Sequence, residues 1–153
     1  MELQWGTILA YLGMFLSISL AGYGSARGVG LAGQVACGVV AEDPTKFGKT
    51  MLLTALPGTQ GIYGFVIAML ILGRIGGGTP VSLDMGLRLL ISGLPVGIVG
   101  LLSAIWQGRV SAAGIGIVAK RPEEGTKGMV FAGLVETYAI LAFIFSYLMV
   151  NAI

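Results

Sequence analysis

The chain has 153 residues, 56% of them hydrophobic and only 10% charged, with a mean hydropathy of +0.92. That composition excludes a water-soluble domain, which needs far more charged surface. One cysteine, Cys37, excludes an internal disulfide, the absence of histidine removes the common zinc and haem ligand sets, and a net charge of +2 gives no footing for nucleic acid.

Each membrane-spanning helix takes about 20 largely apolar residues to cross a hydrocarbon core about 30 Å thick, so the chain has room for four spans. The first is expected from Trp5, an interfacial aromatic, through Ala26 and on to Val40; Glu2 ahead of it replaces the basic residues of a secretory leader, which predicts a retained span. After the polar break "AEDPTKFGK" the second runs from Phe47 to Gly76, interrupted by "LPGTQ", and ends in the glycine-rich turn "GRIGGGTPVSLD". The third runs from Leu83 to Ala119 and is followed by "KRPEEGTK"; the fourth runs from Gly128 to Ile153. With a helical rise of about 1.5 Å per residue the first and third are too long for the bilayer, so their C-terminal ends are expected to project or tilt.

The two polar breaks, with the helix ends that lead into them, hold Arg27, Lys46, Lys49, Arg109, Lys120, Arg121 and Lys127, against Arg74 and Arg88 on the other side. The positive-inside rule then puts both loops in the cytoplasm and both termini, with the Gly77 turn, outside the cell membrane. Arg27-Gly28 matches Gln107-Gly108 at an offset of 80, and "EDPTKFG" echoes "RPEEGTKG". The expected fold is therefore an all-α membrane protein of two duplicated hairpins with the same in-out sense, residues 1–76 and 77–153.

Six of the seven acids, Glu2, Glu42, Asp43, Asp84, Glu123 and Glu124, lie at span ends or in loops, and only Glu136, in "LVETYAIL", lies deep. An ionisable group at the centre of a span costs roughly 2.5 to 3.5 kcal/mol on insertion scales, which marks it for ion passage or a buried partner; the plainer reading is a protonated carboxyl that glues two helices. Other oxygens fall at similar depth. In "LPGTQGIY" Pro57 removes a backbone donor and is expected to free a helical carbonyl, and Thr59 and Gln60 follow with a hydroxyl and an amide oxygen. Gln107 supplies another amide oxygen. Carboxylate, amide, hydroxyl and carbonyl oxygens suit Na⁺, whereas a proton needs the carboxyl and little more. Tyr63, three residues after Gln60, lies on nearly the same helical face, where its hydroxyl could reach the carboxylate or simply pack. Tyr138, two residues from Glu136, points away.

"GVGLAG", from Gly28 to Gly33, spells the dinucleotide fingerprint but lacks the strand, the βαβ unit and the following acid that give it meaning. Gly22, Gly24, Gly28, Gly30, Gly33 and Gly38 read instead as small faces of one long helix that allow close backbone approach.

At "LPGTQGIYGF", "QGRVSAAGI", "VETYAIL" and "GSARGVG" the chain resembles the proteolipid, the K or c subunit, of V-type and A-type rotary ATPases in its duplicated form, and looks closest to the bacterial sodium-translocating branch. The resemblance covers nearly the whole chain. It implies Na⁺ held by the Leu56 carbonyl, Thr59, Gln60, Gln107 and Glu136, with Tyr63 beside the carboxylate. It also implies a homo-oligomeric rotor ring with glycine-rich helices one and three inside and helices two and four facing lipid. Gln60 is expected near the place in the first hairpin that Glu136 holds in the second, so that each copy carries one ion. Further partners implied are a stator subunit with two half-channels and a central-stalk subunit at the cytoplasmic loops, and no nucleotide or catalytic site lies in the chain itself. The same rotor coupled to H⁺ stays open. So does, in another class, a small four-span exchanger, for which an acid in the first span and substrate-facing aromatics would be expected, and a structural tetraspan scaffold, which leaves the clustered polar residues without a reason.

Overall fold

The computed structural model describes residues 4–76 and 80–153; Glu2 and the Gly77 turn, where the chain is expected to divide, lie outside the described residues. Every described element is helical. Helix α1 (Trp5–Glu42) leads through a 3-10 turn at Pro44–Lys46 to α2 (Phe47–Ala55), a second 3-10 turn at Leu56–Gly58 and α3 (Thr59–Ile75). Helix α4 (Leu83–Lys120) then leads through a 3-10 turn at Pro122–Glu124 to α5 (Gly125–Asn151). Four stretches are long and apolar enough to cross a membrane: α1, Pro44–Ile75, α4 and Pro122–Asn151. Helices α1 and α4, 38 residues each, extend to about 57 Å, well beyond a bilayer core of about 30 Å.

Local chemistry sets the breaks. Asp43 ends α1 in extended conformation, and its carboxylate accepts from Thr45 N at 3.0 Å and Thr45 Oγ1 at 2.6 Å, which pins Pro44 at the start of the turn. Proline within a span is accommodated by serine from a neighbour. After Pro57 the chain keeps right-handed helical angles but tightens by one turn, and Gly61 N donates to Ser25 Oγ on α1 at 2.8 Å. Pro95 lies inside α4, where Val96 N donates to Ser146 Oγ on α5 at 3.1 Å.

Glycine sets the central contact, the parallel pair α1 and α4. A Cβ on Gly24 would strike the backbone of Leu101 and one on Gly28 that of Ala104, sequence offsets of 77 and 76. Cβ atoms on Gly86, Gly93 and Gly108 would strike Gly6, Gly13 and Gly28, in each case at an offset of 80. Because every Cβ tilts toward its helix N-terminus, contacts made from the two sides straddle the true register, which is a shift of about 78 residues. The Gly28–Gly108 match at 80 is thus a contact between the halves, two positions away from their register. "GVGLAG" lies inside α1, with Gly28 packed in that contact.

Arg27 and Arg109 are not at the loop end. Gly28 packs on Ala104 and Gly108, beside Gln107, so both arginines are level with Glu136, and the loops keep Lys46, Lys49, Lys120, Arg121 and Lys127. Lys46 and Lys49 of the first loop donate to the carbonyls of Ala119 and Pro122, at 2.9 and 2.7 Å, tying the two hairpins together where the α4 dipole ends.

Candidate functional site

Glu136 sits near the middle of α5, half-buried, with both carboxylate oxygens engaged. Tyr63 Oη donates to Oε1 at 2.8 Å and Gln107 Nε2 to Oε2 at 3.2 Å. Gln107, on α4, also donates to the Ala132 carbonyl at 3.1 Å, and its Oε1 accepts from Gln60 Nε2 at 2.6 Å. Gln60 and Gln107 are completely buried. Buried amides must satisfy both ends, and here each does so on the next, which fixes the orientation of the whole chain of groups.

Beyond Gln60 the line continues on the second span. Thr59 Oγ1 lies 3.4 Å from Gln60 Oε1 and donates to the Leu56 carbonyl at 3.0 Å. Leu56 O, Thr59 Oγ1 and Gln60 Oε1 thus form a short row of oxygens. The 3-10 turn makes this row: it begins at Leu56, directly after α2 ends, and hands over to α3 at Thr59, so carbonyl and hydroxyl fall side by side. All six candidate residues of the sequence, Leu56, Thr59, Gln60, Tyr63, Gln107 and Glu136, belong to one hydrogen-bonded line across the second, third and fourth spans.

Two details differ from expectation. The Leu56 carbonyl is not free, since it accepts both the hydroxyl and the backbone N–H of Thr59. Gln107 offers Glu136 its amide nitrogen, because its oxygen is taken by the neighbouring Gln60. Tyr138 is exposed and lies outside the line.

Ser103 is a member that sequence reasoning misses. It lies four residues before Gln107 on the same face of α4, with Oγ 3.4 Å from Gln60 Nε2 and donating to the Val135 carbonyl at 3.0 Å. That spacing is a signal the sequence does carry. Phe143, whose ring lies 5.3 Å from that of Tyr63, backs the phenol, and nothing in its sequence context marks it.

Among the described residues the ion pairs are Lys46–Asp43, Arg88–Asp84 and Lys127–Glu124, none of which involves Glu136. Arg109, level with the site, stacks its guanidinium 4.5 Å from the centre of the Trp106 ring. A carboxylate in the middle of an apolar span, with two donors and no cation beside it, is a place where one positive charge can be neutralised.

Comparison with known proteins agrees with the duplication. Residues 12–71 and 90–149 each match the family model of the ATP synthase C subunit, with an offset of 78 at both ends. At that offset Gly58 stands opposite Glu136, two residues from Gln60. The chain is 50% identical over 145 residues to the K subunit of the V-type sodium ATPase of Enterococcus hirae, covering 95% of this chain and 92% of that one. It is 42% identical over 142 residues to the K subunit of the A-type ATP synthase of Methanocaldococcus jannaschii, covering 93% and 61%. Against the 16 kDa proteolipid of the V-type proton ATPase of Nephrops norvegicus it is 31% identical over 148 residues, covering 94% and 89%.

Proposed function

The chain belongs to the ATP synthase C-subunit family, and from that premise we propose that it is the ion-carrying rotor subunit of a V-type ATPase, taking one Na⁺ per copy on Glu136. It is a multi-pass membrane protein and catalyses nothing by itself; ATP chemistry belongs to the rest of the complex. The observation that carries the reading is the row of oxygens at Leu56, Thr59 and Gln60 joined through Gln107 to a carboxylate with no cationic partner. A proton would need the carboxylate alone.

In this reading the ion is cargo. Its charge offsets that of Glu136, so the loaded site is neutral and can face lipid at low cost. Loading exchanges hydrogen bonds for cation contacts: the Thr59 hydroxyl turns its proton away from Leu56, freeing two adjacent oxygens, a half-turn of the Gln107 amide brings its oxygen toward the carboxylate, and Gln60 Nε2, losing that oxygen, moves onto the Ser103 hydroxyl now 3.4 Å away. Tyr63 keeps its bond to Oε1 and holds the carboxylate in place. Release follows when a cationic side chain of a stator subunit, between two half-channels, competes for Glu136. The ring turns on a central-stalk subunit held by the loops, which lie in the cytoplasm with both termini outside. Five loop cations against Arg74 and Arg88 support that sidedness. The two hairpins are taken as residues 1–76 and 77–153.

The sodium relative at 50% identity supports Na⁺ and the proton relative at 31% the alternative, H⁺. Binding of ²²Na⁺ to detergent-purified rings, with carbodiimide labelling of Glu136 read alongside, distinguishes them. Expected are saturable ²²Na⁺ binding at neutral pH, protection of Glu136 by Na⁺, and loss of both signals in Glu136→Gln. Labelling of Glu136 that Na⁺ leaves unchanged across pH would establish the proton rotor instead.

A further inference from the structure

An offset of 78 converts each residue of the first hairpin into its counterpart in the second. The face that the second hairpin leaves open can therefore be compared with the face that the first has covered. A groove of about 380 Å³ between α4 and α5 is lined by Val99, Leu102, Ser103, Trp106, Val135 and Tyr138. Their counterparts are Ala21, Gly24, Ser25, Gly28, Pro57 and Gln60. Within the chain those residues form the seat for the second hairpin: Gly24 and Gly28 close on Leu101 and Ala104, Gly100 lies on Ala21, and Gln60 bonds Gln107. A step of the same sense as that which carries the first hairpin onto the second, but wider because Leu102 and Trp106 stand where Gly24 and Gly28 do, brings another first hairpin into this groove. Its occupant is a second copy of this chain.

What that copy presents follows from the same register. Helix α4 meets α1 through Gly100 and Gly108, whose counterparts on α1 are Gly22 and Gly30. Both have open space where a Cβ would go, although glycine inside a helix costs stability that alanine does not. We propose that Trp106 of one copy packs over Gly30 of the next, with Val99 over Gly22, and that this knob closes the seam between copies. Trp106 is 56% exposed in the single chain, and the Arg109 guanidinium stacks on its indole.

Charge at the loop end fits the same partner. Glu42 and Asp43 end the first helix where their counterparts Lys120 and Arg121 end α4, so acids of one copy and cations of the next stand at one level, although Asp43 also has Lys46 of its own chain beside it. Lys49 donates to the Pro122 carbonyl within the chain, and the counterparts of that pair are Lys127 and the Pro44 carbonyl of the next copy. The seam has no ion site of its own, since Tyr138 and Leu141 replace Gln60 and Tyr63 while Val29 and Gly58 replace Gln107 and Glu136.

The inference rests on the ring reading, and the test separates the two. In a Cys37→Ser background, chains carrying both Trp106→Cys and Gly30→Cys are oxidised and run on denaturing gels. A ladder of covalent multimers is expected, whereas co-expressed chains carrying one substitution each give dimers and nothing larger. Trp5→Cys with Trp106→Cys, far apart in height, is expected to stay monomeric. Trp106→Ala is expected to lower the fraction of rings surviving in detergent about ten-fold, with Trp106→Phe retaining it. Intact rings by native mass that give no ladder, or Trp106→Ala rings as durable as wild type, overturn the seam and leave the ring standing. Wild-type chains that form no ring overturn both.

Discussion

Glu136 stands out in the sequence because it is the one acid far from any span end, and the structure adds what surrounds it. Removal of each neighbour is expected to act according to what it leaves unpaired. Gln107→Ala strands Gln60 Nε2 and Glu136 Oε2 together, so its loss of Na⁺ affinity should be the largest, toward a hundred-fold at about 3 kcal/mol. Thr59→Ala removes one oxygen whose hydrogen bond is local, and should cost about 1 kcal/mol, several-fold in affinity. Gln60→Ala should fall between them, and Tyr63→Phe should weaken binding about ten-fold through a less well-held carboxylate. Titration of purified rings with ²²Na⁺ checks the order; equal affinities for Gln107→Ala and wild type would falsify the assignment of the line. The residue types of this site were legible because oxygen donors are rare in such a chain. The direction of each amide was not, since it depends on which neighbour reaches which atom first.

Helix positions were readable to within about three residues, because hydropathy and proline fix where a span can begin and end, but the contact between helices was hidden in the tilt of Cβ atoms. The register of 78 shows only when contacts from both sides of the α1–α4 pair are compared. That pairing sets the expectation for Gly28. A leucine there meets the Ala104 carbonyl and lies 2.7 Å from Pro57 Cβ within its own chain, so Gly28→Leu should destabilise the hairpin pair itself, at the top of the usual range of about 1 to 3 kcal/mol for overpacking. Thermal unfolding of the purified chain should show the loss even where no ring forms, and an unchanged midpoint would place Gly28 elsewhere. The turn after α1 gives a second prediction at this scale. Thr45, through its hydroxyl and then its N–H, with help from Lys46, holds the Asp43 carboxyl below its ordinary value of 3.8. A depressed value means that the turn gains stability above the unfolded value and loses it as pH falls through the folded one. Carbon NMR should therefore find Asp43 titrating below 3.8, and Thr45→Ala should raise its midpoint.

For the whole molecule the question is what the two ends of so long a helix pair are for. Helices α1 and α4 run beyond a bilayer core of about 30 Å, and with Arg27 and Arg109 level with the site, Lys46, Lys49, Lys120, Arg121 and Lys127 remain at the loop end. Two of these are already used. Lys46 and Lys49 donate to the carbonyls of Ala119 and Pro122 and hold the hairpins together, so neutralising them should loosen the chain as well as anything docked on it. Lys127 pairs with Glu124 across one helical turn. Lys120 and Arg121, in an open groove of about 600 Å³ with Lys127, are the cations left to face a soluble partner or the acids of the next copy. The two roles have different signatures. If these cations hold a central-stalk subunit, Lys120→Gln with Arg121→Gln should reduce co-purification of the soluble subunits and make it more sensitive to salt, while the ring keeps its native mass. If they serve only the seam, the ring should dissociate more readily and whatever ring survives should bind the stalk normally. Co-purification of the stalk and native mass of the ring, both unchanged across a salt series, would leave the two cations with the single task of setting on which side of the membrane their loop lies.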